Sequence, residues 1–588
     1  MIKTPNIVPR PFSQPVFDAC KQLGLSDLQA RLVAQRKQTT ESLTETVFPQ
    51  LKHIQHPDAL KNSRQAAELI ADAIQSDGVL VLATDYDTDG VTSAWVAMTA
   101  LVDFFKVPSS RVEHVIGERK SGYGITDEVC ERILAIPNPV SLVISADQGS
   151  SDEPRIRRLK EAGIKVCVTD HHQMPVEGAP ESAECTVNPQ QTGCEYDKTV
   201  AGCFVIFLVM TQVRQVLIER GYLDANSPSL KTLALNVALG TIADSVSLQS
   251  PNNRAIVRAG LQLINQFDNP AWQAMKVLND NQGEAFNAEY LAFQVATRIN
   301  AASRVSDVTT AFHFLNAADP DTALGYLNQL DADNQERRAQ QQSMLQDALQ
   351  LAKQRYHDQK FSLAIPLQGN AGIQGIIATR IGEKFGLPTV ALTDLEDGFL
   401  AGSGRGIVPD VDLRQAFQWM SEQDADLFRS MGGHKGAAGC MIPIGKFEIF
   451  ESLFEQAVQL QLGDAPPTPT LETDGELEDH QLVPELIEHL SVLEPFGREW
   501  PQATFSGEFE IVHLKEVGQQ RNHFSMRLRS LRGKPIQAIY FNAKQEGAPT
   551  PFQAGERVYC VYQPGLNHFA GRTQLQLKIQ WMHKQNIN

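Results

Sequence analysis

Residues 78 to about 250 alternate short apolar β-runs with helix-forming stretches, and each β-run stops on an aspartate. "GVLVLATDYDTD" (78–89), "SLVISAD" (141–147) and "GIKVCVTDHH" (163–172) are the strand candidates. This alternation predicts a parallel sheet with helices on both faces. Few other architectures accept the order, because successive parallel strands need a crossover, usually a helix. In such sheets ligands bind at the carboxyl ends of the strands, where these aspartates stand. A fourth apolar stretch, "LALNVALGTIAD" (233–244), ends the same way, as a strand or as a helix.

Asp85, Asp87 and Asp89 occupy alternate positions. On an extended strand, side chains two apart point the same way, which predicts Asp87 beside Asp89. If Asp87, Asp89, Asp147, Asp170, His171, His172 and Asp244 converge on one crevice, their carboxylates raise one another's pKa unless a cation neutralises them. Hard oxygen ligands with a few imidazoles suit Mn²⁺ or Mg²⁺, and this many can hold two ions. A single aspartate after a strand is more often a helix cap or turn residue. Four recurrences and an Asp-His-His triplet favour a ligand cluster for the set. Gly90 suits a tight turn, and Thr92 or Ser93 is a candidate cap for the next helix. That helix N-terminus would face a phosphate or simply follow an ordinary strand–helix turn.

At 588 residues the chain exceeds what one core of ~250–300 residues supports, so three or four domains are expected. Residues 1–75 read as helical, with "RQAAELIADAI" (64–74) a 3.6-period stripe. The sheet domain is expected over 76–265 and a helical connector over 266–356. Residues 321–356, free of proline and rich in helix formers, predict one long helix. A smaller α/β domain is expected over 357–462, and "GDAPPTPT" opens a linker over 463–472. From 473 to 588, short alternating runs broken by Gly, Pro and Asn predict a small β-barrel or sandwich.

No run reaches the ~18 apolar residues of a membrane span, and "MIKTPNIVPRPFSQP" lacks the layout of a secretion signal. The eight cysteines form no C-x-x-C pair and read as reduced thiols of a cytoplasmic protein. The net charge of −17 excludes a nonspecific polycation, yet residues 498–588 hold 12 Lys/Arg against 6 Asp/Glu. There Arg521, Arg527, Arg529, Lys534, Arg557 and Arg572 mix with Phe524, Tyr540, Phe541, Tyr559, Tyr562 and Phe569. Charge interleaved with aromatics suits a single-strand groove, although more than half of these aromatics are expected in a barrel core. "GSGRG" (402–406) and "MGGHKGAAGC" (431–440) read as a surface turn and a tight loop opening a helix, or as phosphate-binding backbone.

The ordered set "DYDTDGVTS", "SADQG", "VTDHH" and "GTIADSV" is similar to the DHH phosphoesterase superfamily. Within it, nearly the whole chain resembles the RecJ family of single-strand-specific 5′→3′ exonucleases. "ERKSGYGIT", "TRINAASRVSD", "GSGRG", "MGGHKGAAGC" and "EPFGREWPQATF" carry the likeness beyond the first domain. The resemblance implies an α/β multidomain fold: a parallel-sheet DHH domain and a smaller α/β DHH-associated domain joined by a long helix, followed by a C-terminal OB-type β-barrel.

It also implies roles for residues. Asp87, Asp89, Asp147, His171 and Asp244 become metal ligands for Mn²⁺ or Mg²⁺, with two ions. His172, Asp170 and Asp85 form the catalytic group, with Asp170 orienting or bridging. Arg119, Arg304, Ser403, Arg405 and His434 contact the 5′ phosphate and backbone. Single-stranded DNA is the implied substrate, cleaved in recombination and repair by a monomer working with a helicase and the single-strand-binding protein. This sequence departs from the family wording at Ala83, in "ADQGSS", at Ser303 and at the final Gly of "GSGRG". Other readings stay open at this level: a superfamily enzyme acting on short oligonucleotides, cyclic dinucleotides or pyrophosphate, an RNA-directed relative, or a non-catalytic scaffold.

Overall fold

The computed structural model describes residues 3–279, 285–530, 533–544, 547–569 and 572–585. These form two compact units. One runs over Pro9–Ser303, Asp307–Gln329 and Glu472–Asn588, the other over Met1–Val8, Arg304–Ser306 and Leu330–Leu471.

The first unit is built on five parallel strands: β1 (Val79–Thr84), β2 (Val112–Ile116), β3 (Val140–Ala146), β4 (Val166–Thr169) and β5 (Cys185–Val187). Their order is β2-β1-β3-β4-β5, and every pairing is parallel. All six residues of β1 are buried, as its unbroken apolar run requires of a strand covered on both faces. The register levels the strand ends. Thr84 pairs with Ala146, Ala146 with Thr169, and Thr169 with Val187. Asp85, Asp147, Asp170 and Asn188 therefore step off one common edge. Strand order reverses between β1 and β3, the switch point at which open α/β sheets form their ligand crevice.

Helices α1 (Ser63–Gln75), α2 (Thr88–Thr99), α3 (Gly202–Glu219) and α4 (Ala234–Ala243) pack in one group beside this sheet. The fourth apolar stretch is thus helical, and Asp244 is the C-terminal cap of α4. By length and mean hydropathy (1.5), α3 matches a membrane span, contrary to the sequence expectation; 72% of it is buried inside the protein. Its apolar character is that of a core helix touching α1, α2 and α4.

Further along, α5 (Pro251–Ile264) and α6 (Ala296–Val305) precede α7 (Pro320–Arg355), the expected long helix of 36 residues. The second unit holds a mixed sheet of β6 (Leu363–Leu367), β7 (Thr389–Asp394), β8 (Phe399–Arg405), β9 (Ser430–His434) and β10 (Ala437–Pro443), in the order β9-β10-β8-β7-β6. "GSGRG" is the end of strand β8, and "GGHKGAAG" is the β9–β10 hairpin. Neither is a loose turn or a helix start.

The last segment closes into a five-stranded barrel of β11 (Phe505–Val517), β12 (His523–Arg529), β13 (Ile536–Tyr540), β14 (Arg557–Phe569) and β15 (Arg572–Lys584). Closure removes the exposed edges that an open sheet would leave. Phe524 and Tyr562 are core residues and Phe541 is exposed; the side chains of Phe569 and Arg572 lie outside the described residues.

The barrel belongs to the first unit, and buried guanidinium groups fasten its lead-in. Arg36 grips Asp474 through two bonds of 3.0 and 2.9 Å. Arg254, on α5, donates to the carbonyls of Thr46, Leu493 and Pro495 and stacks 4.2 Å from the Trp500 ring centroid. Truncating it would orphan several buried carbonyls at once. Arg254→Ala is expected to lower unfolding free energy by about 3 kcal/mol, measured by urea denaturation.

Candidate metal centre

The chain after β1 turns at once into α2, and the turn is held by its own carboxylate. Asp87 is the N-cap, its Oδ1 accepting from the N–H groups of Asp89 (2.9 Å) and Gly90 (3.2 Å). Asp87 and Asp89 are therefore brought together by a helix N-terminus and not by strand periodicity. The expected caps do not cap: Thr92 lies inside the helix and donates to the carbonyls of Thr88 and Asp89. Another N–H of this end, that of Thr88, is taken by Asn300 Oδ1 at 2.9 Å. With three N–H groups bonded by protein, this terminus is not laid out for a phosphate. Gly90 is required by space, since a Cβ there would lie 2.2 Å from the Asp85 carbonyl oxygen.

Asp89 reaches across to α3. Its Oδ2 accepts from Gly202 N–H at 2.7 Å and its Oδ1 from Cys203 N–H at 2.9 Å. Asp147 follows β3 in the left-handed region (φ 61°). Gly202 backs onto it closely: a Cβ at 202 would sit 2.5 Å from Asp147 Oδ1.

Asp170 follows β4 and serves three donors through Oδ1: His171 N–H (2.7 Å), His172 N–H (3.2 Å) and His172 Nδ1 (2.8 Å). Its Oδ2 accepts from Ser150 N–H at 3.0 Å. Asp170 thus aims the histidines instead of facing the crevice itself. His171 Nε2 lies 3.2 Å from Asp147 Oδ1, 3.7 Å from Asp244 Oδ2 and 3.8 Å from Asp89 Oδ2.

Three overlapping groups have donor atoms within 4.8 Å of one another: Asp147, His171 and His172; Asp89, His171 and Asp244; Asp85, Asp87 and Asp147. Within them Asp85 Oδ1, Asp147 Oδ1 and His171 Nε2 are buried without a hydrogen-bond partner. Buried polar atoms are ordinarily satisfied, so three orphans aimed into one carboxylate cluster mark a place for a cation. The donors are oxygen and imidazole nitrogen with no thiolate, a set that fits Mn²⁺ or Mg²⁺.

The electrostatics agree. Burial, then the charge of Asp87, pushes Asp85 well up. Burial and Asp89 raise Asp87, Asp147 and Asp244 in the same way. Burial opposes charge on Asp170, but the charge and hydrogen bond of His172 override it and hold the carboxyl well below its usual range. Reciprocally, His172 rises to about 9 against its own burial because of Asp170, while burial and the His172 charge lower His171.

The sequence reading missed the groups that support the centre. Tyr123 donates to the Asp147 carbonyl oxygen (2.8 Å) and lies 2.7 Å from His172 Nδ1. Asn188 donates to the His172 carbonyl oxygen and to Ser150 Oγ, both at 2.9 Å. Tyr123 sits in the quoted "GYG" element, and Asn188 ends β5 as the aspartates end their strands, so a signal existed for both.

Arg119 also belongs to this unit and stacks 4.4 Å from the Tyr86 ring centroid. Arg304, Ser403, Arg405 and His434 lie in the second unit. There Arg405 Nη1 donates to Ser403 Oγ at 3.0 Å, and Arg304 donates to the Gly372 carbonyl. Gly375, at the start of the Gln374–Phe385 helix, is so close that a Cβ would meet Arg405 Nη2 at 2.5 Å. His434, exposed at the hairpin end, accepts from Gly436 N–H.

The family model described as "DHH family, N-terminal domain" matches residues 79–241, and "RecJ OB domain" matches 473–581. The chain is 30% identical over 558 residues to a single-stranded-DNA-specific exonuclease RecJ of Haemophilus influenzae, covering 93% of this chain and 94% of that protein. It belongs to the RecJ family. A second RecJ, from Dickeya dadantii, is 31% identical over 88% of this chain and 89% of its own. The structure of Thermus thermophilus RecJ in complex with Mn²⁺ superposes with a TM-score of 0.77 at 23% identity, over 99% of this chain and 79% of that one. The RecJ fold therefore extends across the whole described chain.

The raised carboxylates set the sign of a pH effect. Groups with elevated folded-state pKa stabilise the ion-free protein at low pH and lose that contribution as pH rises. His172 acts in the same direction; the opposite contribution of Asp170 is complete by about pH 5, and the lowered His171 and His114, which oppose the trend between about pH 5 and 7, are outnumbered by the four raised carboxylates. Ion-free protein is expected to melt at lower temperature at pH 8 than at pH 5. Added Mn²⁺ should raise the melting temperature more at pH 8, because binding displaces protons; differential scanning calorimetry checks both.

Proposed function

We propose that this chain is a metal-dependent exonuclease that hydrolyses single-stranded DNA 5′→3′ and releases mononucleotides. The observation that carries this reading is the carboxylate–histidine centre with its three unpartnered buried donors. Asp87, Asp89, Asp147, His171 and Asp244 would hold Mn²⁺ or Mg²⁺, two ions in all, and Asp85 adds a further carboxylate to the group. The ions, when bound, activate water and stabilise charge on the scissile phosphodiester.

The protein's own groups prepare that chemistry. Asp170 fixes the ring of His172 through Nδ1, which leaves Nε2 as the edge able to serve a proton toward the departing oxygen. Tyr123 packs against the same ring, with centroids 5.0 Å apart. Arg119 supplies a guanidinium beside the carboxylates for an oxygen of the 5′-terminal phosphate. Arg304, Ser403, Arg405 and His434 are assigned to the 5′ end and backbone. Ser403, Arg405 and the adjoining helix N-terminus form a combination suited to an anion. The barrel, with its basic balance, would guide the strand. In this role the protein would act in the cytoplasm as a monomer, in recombination and repair, beside a helicase and the single-strand-binding protein.

The clean test uses Asp147→Asn. Asp89 is the poorer choice, because its carboxylate also caps α3 through two N–H groups. With 3′-labelled single-stranded DNA and Mn²⁺, the wild type should release mononucleotides from the 5′ end. Asp147→Asn should lose at least about 100-fold in kcat while keeping its circular dichroism. Native-rate degradation by this variant would remove the centre from the reaction.

A further inference from the structure

Ser303 stands where the family resemblance leads one to expect glycine, and it is not idle. It lies on α6, three residues after Asn300, so the two side chains share one helix face. Asn300 holds the carboxylate turn: its Oδ1 accepts from Thr88 N–H and Thr88 Oγ1, both at 2.9 Å. Ser303 holds the arginine. Its hydroxyl donates to the Asn300 carbonyl at 3.2 Å, which turns the oxygen lone pairs toward Arg119. Arg119 donates to that oxygen through Nε (3.4 Å) and Nη2 (3.3 Å). The face of the guanidinium is covered by the Tyr86 ring.

One edge and one face of Arg119 are thus occupied, and among the described residues no protein group bonds Nη1. A guanidinium offers two forks to a phosphate, the Nε–Nη2 edge and the Nη1–Nη2 end. Here the edge is spent on Ser303, which leaves the end. An Arg held in place loses less conformational entropy when it binds than one that must be ordered. The charge of Arg119 also reaches Asp85 and Asp87, so the guanidinium lies near the carboxylate centre.

We propose that Ser303 is a positioning residue that pins Arg119 so that its Nη1–Nη2 end receives the 5′-terminal phosphate, and that it sets this enzyme's preference for 5′-phosphorylated single strands. This rests on the nuclease reading and on the phosphate role of Arg119 given above. A glycine at 303 has no atom with which to pin Arg119. The same arginine would then sample both forks and select less sharply for a terminal phosphate.

The readout is the ratio of kcat/KM for 5′-phosphorylated over 5′-hydroxyl single-stranded oligonucleotides of one sequence, with Mn²⁺. A change in folding or in the metal centre moves both substrates together and leaves the ratio alone. Ser303→Ala and Ser303→Gly are expected to lower the ratio about tenfold, the lower range for a hydrogen bond to a charged group. Ser303→Thr, which keeps the hydroxyl, should restore it. Arg119→Ala should abolish the preference, and adding Ser303→Ala to it should change the ratio no further. An unchanged ratio in Ser303→Ala, or a further drop in the double variant, overturns the proposal. A wild type that degrades both substrates equally removes the phosphate role of Arg119 and this proposal with it, while the nuclease reading stands. A wild type that degrades neither overturns the nuclease reading itself.

Discussion

Carboxylates crowded at the end of a buried parallel sheet repel one another, and the local architecture of the first unit is arranged around that repulsion. Asp85, Asp147 and Asp170 leave the sheet at one level because Thr84, Ala146 and Thr169 are in register. Each is then treated differently. Asp87 spends one oxygen on the N-terminus of α2, Asp89 spends both on that of α3, and Asp170 spends its charge on His172. What these bonds leave over is the unpartnered set at Asp85, Asp147 and His171. The centre is therefore a rigid scaffold of satisfied oxygens around a few deliberately unsatisfied ones.

This division explains why the residues differ as targets. A carboxylate that caps a helix carries fold and chemistry together, so its removal confuses the two. A carboxylate such as Asp147, whose Oδ1 has no hydrogen-bond partner, has little structural duty, so its replacement leaves the fold out of the measurement. The same logic extends outward to helix α6. One face of it latches the carboxylate turn through Asn300 and the neighbouring arginine through Ser303. Geometry at the centre thus depends on a helix more than 200 residues away in sequence.

Much of the fold was legible in the sequence, for a physical reason: a buried parallel strand must be apolar throughout, and the crossover that follows must be helical. Those demands print themselves as runs such as 78–84 and 141–146. The long helix and the barrel were legible in the same way, from helix formers without proline and from short alternating runs. Asp85, Asp147 and Asp170 stood out in the sequence because each follows an apolar strand. A local period does not carry past the end of its element. Strand β1 ends at Thr84, so Asp87 and Asp89 lie in the turn into α2, Asp87 and not Thr92 or Ser93 caps that helix, and the glycine-rich stretches at 402 and 431 are strands.

By itself the sequence determined the kinds of element, their order and the chemical character of the cluster, because backbone propensity, hydrophobic period and ligand type are properties of neighbouring residues. Tertiary structure alone decided which oxygens remain unsatisfied, that Asp244 reaches the centre from a helix end, that Tyr123 and Asn188 support His172, and that Ser303 takes one edge of Arg119. Those outcomes depend on strand register and on helices brought together from distant parts of the chain. A hydrogen bond between residues 184 positions apart leaves no trace in either local pattern.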